Sequence, residues 1–278
     1  MPSPSTWAAN ALNIALRAWA RCAGVSTATV SRCLNAPDRV VAYGAEESQF
    51  VELWFPPGRQ SAAPVVVLIH GGCWLADYDI AHIRPLASAL AKNGFAVWAL
   101  EYRRVGESGG GWPGTFGDIA TGIDALAAYD EPLLDRERIV LAGHSAGGHL
   151  ALWAAGRERL APNSPLYTES PLHFRGVLGL AAITDLAAYA GGDNSCEQVT
   201  ARLMGGTPDE QPDRYAEASP VALGVTARTI LLQGGADTIV GRTQAEALPG
   251  ARTVMLDEAG HFDLIHPYTP AFGRIRAL

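Results

Sequence analysis

The chain has 278 residues, enough for one large α/β domain or two small ones, and an apolar share of 48% that is ample for a sizeable core. A net charge of −7 argues against a general nucleic-acid binder, and no apolar run reaches membrane-spanning length; Val65–Ile69 is the longest that reads as a strand. Cys22, Cys33, Cys73 and Cys196 are scattered, with neither metal-ligand spacing nor a disulfide framework, so a reduced, cytoplasmic setting without a metal is expected.

Residues 1–40 differ in character from the rest of the chain. Ala11 to Ala20 is interrupted by Asn13 and Arg17 and has no basic segment ahead of it, so it does not read as a signal peptide. Four arginines stand against Asp38 alone in this stretch, giving +3 and leaving −10 for the remainder. Leu16 to Asn35 reads as a helix, a turn at Gly24 and a second helix capped by Ser26. The run Ala23-Gly-Val-Ser-Thr-Ala-Thr-Val-Ser-Arg32 resembles the helix-turn-helix of the lactose-repressor family, with Ser26–Asn35 in the place of the groove-reading helix. The resemblance implies a ligand-sensing, DNA-binding regulator. Yet the third helix that would complete that small core is missing from the sequence, and two helices alone bury little surface. An accessory helical extension is therefore the favoured reading, and a nucleic-acid partner is not expected.

From Tyr43 to Leu278 the pattern changes to alternating strands and helices. Gln49 to Phe55 alternates as a strand and ends at Pro56-Pro57-Gly58. Val65 to His70 is a continuous, largely β-branched run, the mark of a strand buried on both faces. A helix is predicted over Ile80–Asn93, stopped by Gly94, then a strand over Phe95–Tyr102 and a glycine-rich loop from Gly106 to Gly114. Thr115–Tyr129 reads as helix and Ile139–Ala142 as strand, with a further helix starting near Gly147. Later strands are predicted at Gly176–Ala181, Thr229–Gln233 and Thr253–Leu256. Strands separated by helices imply a mostly parallel sheet covered on both faces, with its chemistry at the carboxyl ends of the strands.

Several motifs fall at such strand ends. Gly143-His-Ser145-Ala-Gly147 places a serine between a buried strand and a helix, in a turn that leaves no room for side chains beside it. Such an elbow exposes the Ser145 hydroxyl near a helix amino-terminus, where negative charge is favoured. His70-Gly-Gly-Cys-Trp74 follows the first buried strand, and its bare backbone suits an oxyanion hole; Gly72, Cys73 and Ala146 N–H are the expected donors. His70 itself is expected to brace that loop. Asp237 follows a strand and is the candidate orienting acid, with Asp257 as its rival, and His261 follows the last strand as the candidate base. His82, His144, His149, His173 and His266 are read as structural. Trp74, Trp112 and Phe116 stand in loops near the same rim as candidate pocket walls, and Arg103 and Arg104 read as structural partners of Glu101 or Glu107.

Together, His70–Trp74, Glu101–Val105, Gly110–Phe116, Gly143–Gly148 and Gly260-His-Phe-Asp263 resemble the α/β-hydrolase superfamily. The similarity is to the H-G-G-x-W branch that holds kynurenine formamidases (arylformamidases) and related esterases, including hormone-sensitive-lipase-like ones. The resemblance covers about Tyr43 to the end and implies a catalytic domain over residues 43–278. It also implies a serine nucleophile, an acid and a histidine in that chain order, which Ser145, Asp237 and His261 satisfy. The expected activity is hydrolysis of a small-molecule carboxylic ester without a cofactor, with a formamide as the alternative substrate.

Overall fold

A computed structural model of the chain describes residues 36–277. Among these, eight strands form one sheet: β1 (Arg39–Ala42), β2 (Phe50–Trp54), β3 (Ala63–Ile69), β4 (Ala96–Leu100), β5 (Leu134–His144), β6 (Gly176–Leu180), β7 (Thr229–Gly234) and β8 (Arg252–Leu256). Their order is β1-β2-β4-β3-β5-β6-β7-β8. β1 and β2 are antiparallel, as are β2 and β4, and every later neighbour is parallel.

Strand β3 shows how an unbroken apolar run serves two cores. Successive side chains point to opposite faces of a sheet. Val65, Val67 and Ile69 join one cluster with Trp98, Ile119, Ile123 and Leu150, whereas Val66 and Leu68 join another with Ile83, Leu86 and Leu90. Helices α2 (Gly114–Ala128) and α3 (Ala146–Ala154) supply the first cluster. The second is supplied by α1 (Arg84–Lys92) and by α9 (Pro270–Ala277) at the carboxyl end.

Three features depart from the sequence-based expectations. The sheet starts before Tyr43: Arg39–Ala42 is a strand, Asp38 accepts the Phe55 amide, and Arg39 pairs with Glu131 at 2.7 Å. A four-residue edge strand is too short for periodicity to reveal. The helix expected over Ile80–Asn93 divides at Arg84 into a 3₁₀ turn, Ile80–Ile83, capped by Asp79, and α1, with Pro85 in its first turn where a missing N–H costs nothing. Between β6 and β7 lie four helices that the sequence reading left unassigned: α4 (Leu186–Ala190), α5 (Ser195–Met204), α6 (Pro212–Ala218) and α7 (Pro220–Leu223). A reciprocal capping box of Asn194 and Glu197 starts α5. Helix α8 (Arg242–Ala247) precedes β8. The helix pair expected at residues 16–35, with Cys22 and Cys33, lies outside the described residues.

Candidate active site

The turn between β5 and α3 is held by crowding. Ser145 adopts φ 56° and ψ −122°, a left-handed conformation that an ordinary residue keeps only when its surroundings impose it. Here its amide donates to the Leu180 carbonyl at 2.8 Å. A Cβ on Gly143 would collide with the Gly147 carbonyl, and one on Gly147 with the carbonyls of Ile69 and His70. The glycines therefore allow the elbow to nest against the end of β3. Ser145 is 3% exposed, and Ala146 opens α3, where amides have no intrahelical acceptor.

Two later loops meet at this elbow. The Gly235 amide donates to Leu256 O and the Ala236 amide to Ala259 O, so the loop after β7 lies flush with the loop after β8. Side chains on Gly234 or Gly235 would strike the backbone of 257–260. This close approach brings Asp237 Oδ2 to 2.7 Å from His261 Nδ1. The other Asp237 oxygen accepts the Ile239 and Val240 amides at 2.9 and 3.0 Å. Burial opposes ionisation of Asp237, but the bond and charge of His261 and the two amides outweigh it, leaving the carboxyl below its ordinary pKa. Asp257, the rival acid, is exposed. His261 is 7% exposed, and its ring lies 4.5 Å, centroid to centroid, from that of His144, the residue before Ser145.

The glycine loop after β3 closes the other side. Gly72, Cys73 and Trp74 all have positive φ, at 104°, 51° and 57°. Gly71 packs so tightly on the elbow that an added Cβ would press on the His144 carbonyl and on Ser145 Cβ. His70 is fully buried and braces the loop as expected: its Nε2 donates to Glu101 at 2.8 Å, its ring stacks on Tyr102, and Tyr102 OH donates to the His70 carbonyl. Glu101 also accepts the Ile80 amide and pairs with Arg104 at 3.2 Å. Arg104 bonds Glu107 as well, whereas Arg103 forks onto Asp118 rather than onto either glutamate considered from sequence. Both arginines are thus held in ion pairs behind the loop.

The expected pocket walls separate. Trp74 and Phe116 have no accessible surface, so in this conformation neither lines a cavity that admits water; Trp112 alone stays partly exposed. Trp74 instead donates its indole N–H to His149 Nδ1 at 3.3 Å, and His149 Nε2–H bonds the Ala218 carbonyl at 2.9 Å. Burial pushes His149 down to about 4, so it stays neutral and ties the glycine loop to the end of α6. Phe116 packs edge-on against His149 and Trp153.

The sequence reading missed two partners. Cys73 is disulfide-bonded to Cys196, 123 residues away in the first turn of α5, with their Cα atoms 5.1 Å apart. Cysteine spacing carries no trace of this pair, because tertiary proximity creates it. The bond removes the ground for expecting reduced cysteines and, with it, a cytoplasmic setting. Among the described residues no helix is long and apolar enough to cross a membrane. The second partner is Gln233, buried at the end of β7, whose amide bonds the Val240 carbonyl at 3.0 Å and reaches Asp237 at 3.4 Å. A polar residue ending an apolar strand was the available signal.

Comparison with known proteins agrees with this architecture. The BD-FAE family profile matches residues 51–251, and the chain belongs to that family. It is 26% identical over 240 residues to esterase LipC of Mycobacterium tuberculosis, covering 81% of this chain and 58% of that protein. It is 33% identical over 121 residues to the probable isoprenylcysteine alpha-carbonyl methylesterase ICMEL1 of Oryza sativa subsp. japonica, covering 41% and 26% respectively. The chain thus spans little more than half of the first relative and about a quarter of the second. Among solved structures, a truncated carbohydrate esterase from gut microbiota superposes with a TM-score of 0.71 at 22% identity, over 87% of this chain and 95% of that one. Esterase B from Lactobacillus rhamnosis gives 0.72 at 20% identity, over 95% and 93%. The fold is that of the α/β-hydrolases.

Proposed function

We propose that this BD-FAE family member hydrolyses carboxylic esters through a Ser145–His261–Asp237 triad. The observation that carries the reading is the 2.7 Å bond between Asp237 and His261 Nδ1, formed where His261 lies beside the strained serine elbow. Asp237 keeps the Nδ1 proton on its own side of the ring, leaving Nε2 free to take the Ser145 proton. Ser145 then attacks the ester carbonyl, and the oxyanion is received by the amides of Gly72, Cys73 and Ala146. The imidazolium, stabilised by Asp237, returns its proton to the departing alcohol. Water repeats the sequence on the acyl-enzyme, with His261 again as base.

The esterase names of the relatives support ester over formamide as the scissile group. The test is a panel of short- and long-chain acyl esters, aryl esters and N-formylkynurenine, run beside Ser145→Ala. Ester turnover that is lost in the variant supports the reading. Turnover confined to the formamide would replace it with the formamidase alternative.

A further inference from the structure

The elbow carries a second histidine that the proposed chemistry does not use. His144 ends β5, is 1% exposed, and sits between the two loops that flank Ser145. On one side its Nε2 lies 3.1 Å from the backbone carbonyl of His261. A carbonyl only accepts, so Nε2 carries the proton. On the other side, Nδ1 faces Gly71 of the glycine loop and has no hydrogen-bond partner among the described residues. Leaving a buried acceptor unpaired costs stability. An aromatic hydrocarbon would fill the same space without that cost, but it would leave the His261 carbonyl without the Nε2–H donor. The ring also contacts the rings of His261, at 4.5 Å, and Phe262, at 5.9 Å.

We propose that His144 is a positioning residue, which fastens the His261 backbone to the nucleophile elbow through its Nε2–H and thereby sets the separation of base and nucleophile. The inference rests on the triad reading above. Ser145 and His261 come from loops 116 residues apart in the chain, and the Asp237 bond fixes only the far edge of the His261 ring. The His144 bond supplies the missing constraint, because it joins the residue next to the nucleophile directly to the peptide of the base. Burial, then the neighbouring His261, holds His144 well below the ordinary histidine range; the other ionisable groups acting on it are His82 and Asp237. His144 therefore stays neutral and keeps the same tautomer while His261 gains and loses its proton.

The test compares His144→Phe, His144→Gln and His144→Asn in the full chain, with kcat and KM measured separately on p-nitrophenyl acetate and folding followed by thermal melting. Phenylalanine keeps the ring contact and loses the donor. Glutamine places an N–H where Nε2 was, and asparagine places one only where Nδ1 was. The expected result is a fall in kcat of about tenfold or more for Phe and Asn, with KM within about twofold, and recovery to within about threefold by Gln. Wild-type kcat in a folded His144→Phe, a loss confined to KM, or equal losses in Gln and Asn would each overturn the proposal. Should the Phe variant not fold, the Gln and Asn pair decides. Ester turnover surviving in Ser145→Ala would instead overturn the triad reading, and this proposal with it.

Discussion

Asp237 Oδ2 lies 2.7 Å from His261 Nδ1, although 24 residues and a whole strand separate them. Asp257 stands four residues from the same histidine and is exposed. Proximity in the chain is thus the poorer guide here, because β8 and its turn direct the residue-257 side chain outward while the loop after β7 comes in from the far side of the ring.

That relationship predicts an asymmetry. Asp237→Asn should lower kcat on the order of 10³–10⁴-fold with little change in KM, since it removes the charge that supports the imidazolium. Asp257→Asn should cost little. Steady-state kinetics on the best ester check both, and reversed losses would move the acid to Asp257.

The same carboxylate predicts a stability signature. Its folded-state pKa lies below the ordinary 3.8, so the stabilisation it brings is present above that value and lost as pH falls through the lower folded value. Urea midpoints measured between about pH 2 and 6 should show a shallower acid decline in Asp237→Asn than in the wild type. Parallel curves would show that the carboxylate contributes nothing to folding.

Ser145→Ala should remove on the order of 10⁴-fold or more of the hydrolytic rate while leaving the melting temperature close to that of the wild type. Labelling by a fluorophosphonate, followed by peptide mapping, should modify Ser145 in the wild type and nothing in the variant. Near wild-type hydrolysis by the variant would exclude Ser145 as the nucleophile.

Cys73 is both an oxyanion donor in the proposed mechanism and one end of the disulfide to α5. Closing a loop of this length stabilises a fold by up to about 4–5 kcal/mol in the chain-entropy view. A thiol reductant should therefore lower both the melting temperature and kcat of the wild type, while Cys196→Ser should start lower and respond to reductant no further. Equal melting temperatures with and without reductant, with the thiols shown to be free by alkylation, would remove this role for the bond.

The sheet begins at Arg39, and each residue placed in the site lies between His70 and His261. Deleting residues 1–35 should leave ester hydrolysis largely unchanged. Deleting residues 1–40 should lower stability, because it also removes the Asp38 bond to the Phe55 amide and the Arg39–Glu131 pair. Thermal melts and turnover of the two truncations check this, and collapse of the shorter deletion would show that the preceding segment completes the domain.

The sequence alone determined the serine elbow, because the demand for glycine at 143 and 147 is local: their backbones approach other backbone within a few residues or at an adjacent strand end. It also determined the parallel sheet, since β3 serves two cores and must read as an unbroken apolar run. His70 as a brace and the placement of Ser145, Asp237 and His261 just past strand ends were legible for the same reason: strand boundaries mark where loops gather. What depended on distance in space was hidden. Trp74 and Phe116 stand beside the glycine motifs in sequence, yet packing turns them inward, where Trp74 meets His149 and Phe116 meets Trp153. The Cys73–Cys196 bond and the His144–His261 contact join residues more than a hundred positions apart. No periodicity or spacing encodes such pairs, because they arise only when the folded sheet brings its carboxyl-end loops together.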